Sequence, residues 1–321
     1  MNEKKYAPVI LFVYRRPEHT IKTLEALNNN YLANESELYI FSDGYKNDTD
    51  RQEVEQVRNI INKYKDESNF KSVKIFQSEE NRGLAESVIG GVTKVIDEHS
   101  RVIVLEDDLV TSPDFIKYMN EALDYYVNDN RVWSIAGYTP NIKGLDKYEK
   151  DVYVSLRAAS WGWATWKNRW ELVDWEVSDY QAFVSDKKAR RSFGRRGKNM
   201  PGMLDAQMRG ELDSWAIRFC YAQFRKGTVT IMPTISRVNN IGFDGTGTHC
   251  GVQEKWEVAI KQTVDEIKFI PIEYNKKLIK AYYVFYAGTK WERLINWGKK
   301  WGGSLKRLFS YIGLYKGTKQ L

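Results

Sequence analysis

The first 105 residues alternate short apolar runs with amphipathic stretches, which restricts the chain to a mostly parallel sheet with helices on its faces. Pro8 to Tyr14 (PVILFVY) is apolar almost throughout, as a strand covered on both sides must be. Pro17 then opens a helix with Ile21, Leu24 and Leu27 at helical spacing. Glu37 to Phe41 predicts a second strand, ended by Ser42-Asp43-Gly44, and Thr49 to Tyr64 a second helix carrying Val54, Val57, Ile60, Ile61 and Tyr64 on one stripe. Ser72 to Phe76, Leu84 to Glu98 and Arg101 to Leu105 continue the series as strand, helix and strand. Ligands of such open sheets bind beyond the carboxyl ends of the strands.

Polar clusters fall at those ends: Arg15-Arg16 after the first strand, Asp43 after the second, Asn81-Arg82-Gly83 after the third and Glu106-Asp107-Asp108 after the fourth. Clusters unrelated to a ligand would scatter over both ends, so the pattern predicts a single cleft. Three consecutive acids disfavour joint ionisation unless a positive charge lies among them. Mn²⁺ or Mg²⁺ removes that conflict, because each takes carboxylate oxygens together with substrate phosphates. An isolated acidic triplet reads as well as a solvated turn before Pro113; the strand-end position favours the cation.

Downstream, Asp114 to Tyr126 predicts a helix, and Trp161, Trp163 and Trp166 form a Trp-rich run, WGWATW. Positions 185 to 210 concentrate Arg, Lys and Gly and read as a mobile loop. A helix starts near Asp213, Thr228 to Met232 is a short strand, and a Gly-rich loop ends in Gly247-Thr248-His249. No internal repeat is present.

VIVLEDDL followed by Ser-Pro-Asp-Phe is similar to the acidic motif of GT-A glycosyltransferases, notably N-acetylglucosaminyltransferase I and bacterial family 2-like enzymes of polysaccharide assembly. Arg16, Asp43 and Asp213-Ser214-Trp215 follow in the family's order, and WGWATW resembles the bacterial members. The resemblance spans about residues 6 to 250 and implies an inverting, metal-dependent transfer of a hexose or N-acetylhexosamine from a UDP-linked or other nucleoside diphosphate sugar to a glycan or lipid-linked acceptor. It implies Asp108 as metal ligand, Glu106 and Asp107 on the sugar or ribose, Arg16 and Asp43 against nucleobase and ribose, and Arg82 near the nucleotide. Asp213 is the expected catalytic base, held in an apolar setting by Leu212 and Trp215, with Glu211 its competitor. Capping of the helix that begins there is the plainer role for Asp213. His249 would complete the metal shell, as a late His does in many GT-A enzymes, although N-acetylglucosaminyltransferase I offers no such ligand. Trp161 and Trp163 are expected to meet donor or acceptor sugar, or else to form an aromatic core.

These readings divide the chain into a nucleotide-sugar-binding half (1–110), an acceptor and catalytic half of the same domain (111–255) and a basic, aromatic helical extension (256–321). From Lys276 to Leu321 there are eleven Lys or Arg and one acid, Glu292, so this stretch carries +10 of a net charge of +7 and the remainder is slightly acidic. Such a tail, rich in Trp, Tyr and Phe, suits an anionic membrane surface, or else a helix packed on the domain. Global basicity therefore gives no ground for a nucleic-acid partner. Two cysteines, Cys220 and Cys250, make neither a disulfide framework nor a zinc site, and no leader or spanning segment is evident. The expected location is the cytoplasm, peripheral on the inner face of the membrane. Two rivals are a sugar-phosphate nucleotidyltransferase, whose Gly-rich loop is missing after the first strand (Val13-Tyr14-Arg15-Arg16-Pro17), and a non-catalytic glycan-binding protein on a transferase fold.

Overall fold

The alternation resolves, in a computed structural model that describes residues 5–244 and 254–287, into one eight-stranded sheet. Strands β1 (Val9–Val13), β2 (Glu37–Ser42), β3 (Ser72–Gln77) and β4 (Arg101–Glu106) are parallel in the order β3-β2-β1-β4. Helices α1 (Pro17–Asn28), α2 (Asp48–Glu67) and α3 (Leu84–His99) connect them. A short β5 (Leu109–Thr111) and α4 (Phe115–Tyr126) lead to β6 (Val132–Ala136), β7 (Val152–Ser155) and β8 (Trp163–Trp166). There follow α5 (Lys167–Trp170), α6 (Tyr180–Ser185), α7 (Lys187–Gly194), α8 (Met200–Met208) and α9 (Trp215–Arg225), then β9 (Val229–Pro233), β10 (Val238–Asn240) and α10 (Lys276–Ala287). The sheet continues β4-β8-β6-β9-β7, with β8 and β7 running against the rest.

Both faces of the sheet are covered, which is why β1 reads as a continuous apolar run and is buried along its whole length. Val9, Leu11 and Val13 pack with Leu24 and Leu27 of α1 on one face, while Ile10 and Phe12 meet Val88 and Val92 of α3 on the other. Outside the large sheet, β10 pairs with β5, Asn240 opposite Leu109, and this carries residues 241–242 over the end of β4.

Several sequence readings change. Ile21 is 40% exposed, and α1 instead buries His19, Thr20 and Thr23 beside Leu24 and Leu27, because its first turns lie against the polar sheet edge. Positions 185–210 are not a loop but two helices: Phe193, Met200 and Leu204 are buried anchors, Asp186 caps α7, and Arg190 pairs with Asp205 at 2.7 and 2.8 Å. Alternating basic and small residues hid three apolar anchors among eight Lys and Arg. The helix expected from Asp213 begins at Trp215, with the Ser214 hydroxyl as its cap.

The expected helical extension is only partly helical among the described residues. From 257 to 275 the chain is irregular and buries Ile267, with Phe269 against Tyr118 and Tyr126. In α10, Leu278 and Tyr282 pack with Ala136, Tyr153 and Met232, so these two side chains face the domain and not a bilayer. Residues 288–321, His249 and Cys250 lie outside the described residues; Cys220 is buried with a free thiol. Among the described residues no helix is long and apolar enough to cross a membrane.

Candidate active site

The carboxyl edge of the sheet carries a row of polar side chains, each fixed by the turn that follows its strand. At the end of β4, Asp107 Oδ2 accepts from the Tyr14 backbone N–H at 3.1 Å, tying the acidic turn to the chain just past β1. Thr23 of α1 donates to the Asp107 carbonyl at 2.8 Å. Asp108 Oδ2 accepts from Arg16 Nη1 at 2.7 Å, and both side chains are largely buried, at 14% and 16% exposure. The other oxygen, Asp108 Oδ1, is buried and meets no hydrogen-bond partner among the described residues. A buried carboxylate oxygen is costly to leave unpaired, so this orphan atom marks where a donor or a cation belongs.

Burial raises all three acids, and repulsion between them adds to the rise at Glu106 and Asp107. Desolvation, then Asp108 and Asp107, push Glu106 up to about 8. Desolvation, then Asp108, push Asp107 up to about 7. Asp108 is also raised by desolvation, although Arg16 and His19 oppose the shift. Positive charge beyond that of Arg16 is what this turn lacks.

Residues 241–242 close over it. The Ile241 N–H donates to the Asp108 carbonyl at 2.9 Å, and Arg16 Nη2 donates to the Gly242 carbonyl at 3.1 Å. A Cβ at Gly242 would stand 2.1 Å from Asp108 Oδ2 and 2.9 Å from Arg16 Nη1, so any larger residue must displace that pair.

Asp43, after β2, is a loop clamp. Its two oxygens accept from the Arg82 and Gly83 backbone N–H groups at 3.0 Å each, from Asn81 Nδ2 at 3.1 Å and from the Gly44 N–H at 2.9 Å. This geometry sets the turn from β3 into α3 and leaves the Arg82 side chain exposed, with no hydrogen-bond or ion-pair partner among the described residues. Asp213 reaches the same turn from the opposite side. Its Oδ2 accepts from Ala85 N at 3.3 Å, and it lies 3.0 Å from where a Gly83 Cβ would stand. Asp213 therefore sits at the N-terminus of α3 and does not cap its own helix. Contrary to the apolar setting expected from Leu212 and Trp215, it is exposed.

The tryptophans separate. Trp163 is 1% exposed and packs between Trp170, Trp215 and Phe219, so it cannot touch sugar; the face of β8 it occupies is closed by α9. Trp161 is half-buried and forms an aromatic group with Tyr138, Phe243 and Trp256 beside Gly242. Arg16, expected against a nucleobase, is the counter-charge of Asp108 in this structure.

The sequence reading left out His19, and it set Arg15 at the cleft without its partner. His19, one turn into α1 from Arg16, is buried, with Nε2 3.1 Å from Asp244 Oδ2. Its spacing from Arg16 was the available signal. Arg15 and Tyr14 bind the buried Asp50 at 2.6 and 2.8 Å, which braces the turn after β1 and turns Arg15 away from the cleft. Among the described residues no three His, Cys, Asp or Glu side chains form a closed cation cage. The donor set instead fits a cation held by Asp108 together with ligand phosphates, the usual mode of Mg²⁺.

The sequence profile of glycosyl transferase family 2 matches residues 9–180, more than half of the chain and all of the acidic edge. The chain belongs to that family. Its sheet has the GT-A arrangement, mostly parallel and flanked by helices. Among solved structures, TarS of S. aureus shares 16% identity over 48% of this chain with a TM-score of 0.35. The chain spans only 26% of TarS. A mannosyltransferase of Pyrobaculum calidifontis, solved with GDP-Man and Mn²⁺, shares 10% identity over 69% of this chain and 70% of its own, with a TM-score of 0.36. Overlaps this low bear on neither substrate nor mechanism. No curated protein matches the chain.

Proposed function

We propose that this family 2 member is an inverting glycosyltransferase that uses Mn²⁺ or Mg²⁺ and a nucleoside diphosphate sugar, UDP-linked, to transfer a hexose or N-acetylhexosamine to a glycan or lipid-linked acceptor of surface polysaccharide or glycoconjugate synthesis. The observation that carries the reading is Asp108: one carboxylate oxygen on Arg16, the other buried without a partner among the described residues, at the end of a parallel strand.

Asp108, with His249 as a second ligand, would hold the cation, which supplies positive charge to a departing diphosphate. Glu106 and Asp107 hold hydroxyls of the donor sugar or ribose. Asp43 keeps the loop at 81–83 in register, and the free Arg82 guanidinium takes phosphate or base. Asp213 removes the proton of the acceptor hydroxyl as that oxygen attacks the anomeric carbon on the face opposite the diphosphate; its exposure lets an acceptor reach it. Trp161, half-buried in its aromatic group, offers a ring face to sugar. The basic tail brings the enzyme to the inner leaflet in the cytoplasm, where a lipid-linked acceptor is available.

The test is a panel of nucleoside diphosphate sugars with Mn²⁺ or Mg²⁺, scored by nucleotide release and by thermal stabilisation. One donor should stabilise the protein and release its nucleotide only when the cation is present. If every donor leaves the melting temperature unchanged, with or without cation, the reading fails.

A further inference from the structure

We propose that a second groove on the carboxyl edge, beyond the acidic turn, holds a neutral saccharide chain at a distance from its reacting end, so that the acceptor is an oligosaccharide. In the order β4-β8-β6-β9, β8 runs against both β4 and β6, and β9 runs with β6. Strands β6 and β9 therefore end on the same edge as β4. Thr139 after β6 and residues 234–236 after β9 line an open groove of about 830 Å³, together with side chains of the segment 141–151 and Val258 and Ala259. That size falls within the range of about 300–1,000 Å³ that small ligands occupy. The turns at its base are tied together: Ser236 Oγ accepts from the Thr139 N–H at 3.1 Å, and the Asp151 carbonyl accepts from the Thr234 N–H at 2.9 Å.

The lining suits a polyhydroxylated ligand. Asp146 and Glu149 are exposed and have no ion pair or hydrogen bond among the described residues, so four carboxylate oxygens are open to ligand hydroxyls. Asn141 gives its Nδ2 to the Glu257 carbonyl at 3.3 Å and keeps Oδ1 available. Tyr148 lines the same groove, and its buried hydroxyl meets no partner among the described residues; a small shift of the ring on ligand entry would pair it. Ile235, 48% exposed, adds an aliphatic surface of the kind that the C–H face of a sugar ring covers. Charge sets the ligand's sign. Lys150 is taken by Glu273 and Asp151 by the Lys268 N–H, which leaves Lys143 against Asp146 and Glu149, an excess of acid that a phosphate or nucleic-acid chain would meet with repulsion.

An aromatic row joins this groove to the acidic turn. Gly242 lies against Asp108, and its neighbour Phe243 meets Trp161 with ring centroids 5.4 Å apart. Trp161 in turn meets Tyr138 at 4.6 Å, and Tyr138 precedes Thr139 of the groove. Ring faces between two polar sites are the surface along which a sugar chain can lie. That this chain is the acceptor rests on the transferase reading; that a saccharide binds here does not.

The test is calorimetric titration of the full chain, without donor or cation, by maltopentaose, cellopentaose and chitopentaose and by glucose and N-acetylglucosamine. At least one pentasaccharide should bind with a Kd of about 1 mM or tighter, and at least about tenfold more tightly than its monosaccharide. The double variant Asp146→Ala, Glu149→Ala should lose about tenfold in that affinity with its melting temperature unchanged, since neither side chain is bonded within the fold. Tyr148→Phe should lose about threefold without melting lower. Stabilisation by donor with Mn²⁺ should be the same in parent and variants. If no donor stabilises any of them while pentasaccharide binding and its loss persist, the transferase reading fails and the groove stands. Absence of pentasaccharide binding up to about 10 mM, equal affinity for monosaccharide and pentasaccharide, or parental affinity in the double variant would each overturn the proposal.

Discussion

Arg16 and Asp108 form a charge pair from which one oxygen is left over: Nη1 lies 2.7 Å from Oδ2, while Oδ1 is buried and unpartnered among the described residues. One guanidinium thus faces three acids within hydrogen-bonding or electrostatic reach, and the surplus negative charge is what a cation and a diphosphate would together resolve.

Arg16→Met tests that balance. Removing one partner of a largely buried pair costs about 3 kcal/mol, so the melting temperature should drop by several degrees without cation. Mn²⁺ should recover more stability in the variant than in the parent, because it meets a carboxylate with no counter-charge. Thermal melts across a Mn²⁺ titration measure both, and a variant indifferent to Mn²⁺ would remove Asp108 from cation binding.

The raised acids set a pH dependence with a definite sign. Glu106 and Asp107 hold protons in the folded state up to about 8 and 7, whereas their unfolded values are 4.5 and 3.8. Between those limits the folded state binds more protons than the unfolded one, so stability falls as pH rises from about 5 to 8. Saturating Mg²⁺ or Mn²⁺ favours the ionised acids and should flatten the decline. Melting curves at stepped pH, with cation and with chelator, should diverge most near pH 8; parallel curves would count against the site.

Gly242 is the steric counterpart. Gly242→Ala would force a methyl group to 2.1 Å from Asp108 Oδ2, so Asp108 or the 241–242 segment must shift. Donor-dependent nucleotide release should fall about 100-fold while the melting temperature moves little, as the strain is local and about an ångström of misplacement suffices. Activity near that of the parent would mean that this contact is slack.

Much of this edge was legible in the sequence. A strand buried on both faces must read as PVILFVY, and a parallel order places the turns after each strand together, so Arg16, Asp43, Arg82 and the acids at 106–108 could be assigned to one cleft before any coordinates. What could not be read were partners distant in the chain: that Arg16 is spent on Asp108, that Asp43 holds backbone N–H groups 39 and 40 residues away, or that Gly242 lies against the acids. The Trp run failed for a related reason. Alternation along β8 turns Trp163 to the closed face, whereas Trp161 precedes the strand, and tryptophan is the same letter in a sugar platform and in a core.

Asp43 and Arg82 are separable by kinetics. The Arg82 guanidinium is unpaired among the described residues, so Arg82→Ala should leave stability unchanged and raise the donor KM about tenfold through loss of one charge-assisted contact. Asp43→Ala releases four hydrogen bonds to the 81–83 loop and to Gly44, and should lower both stability and donor affinity. Equal effects of the two changes on melting temperature would contradict the clamp assigned to Asp43.

Asp213 carries the sharpest consequence, because its two roles respond differently to one substitution. As a support for α3 its Oδ2 accepts from Ala85 N, and an asparagine oxygen can still accept there, so Asp213→Asn should keep the fold and lose at most about 1 kcal/mol. As a base it must bind a proton, which an amide does not, so kcat for transfer should fall by about 10² to 10⁴ with the donor KM within about threefold of the parent. Asp213→Ala separates the roles further, since it loses the contact to α3 as well and should melt lower than the Asn variant. Steady-state kinetics with saturating donor, alongside melts of both variants, reads out each role; an Asn variant with parental kcat would leave Asp213 as a helix support and move the search for the base to Glu211.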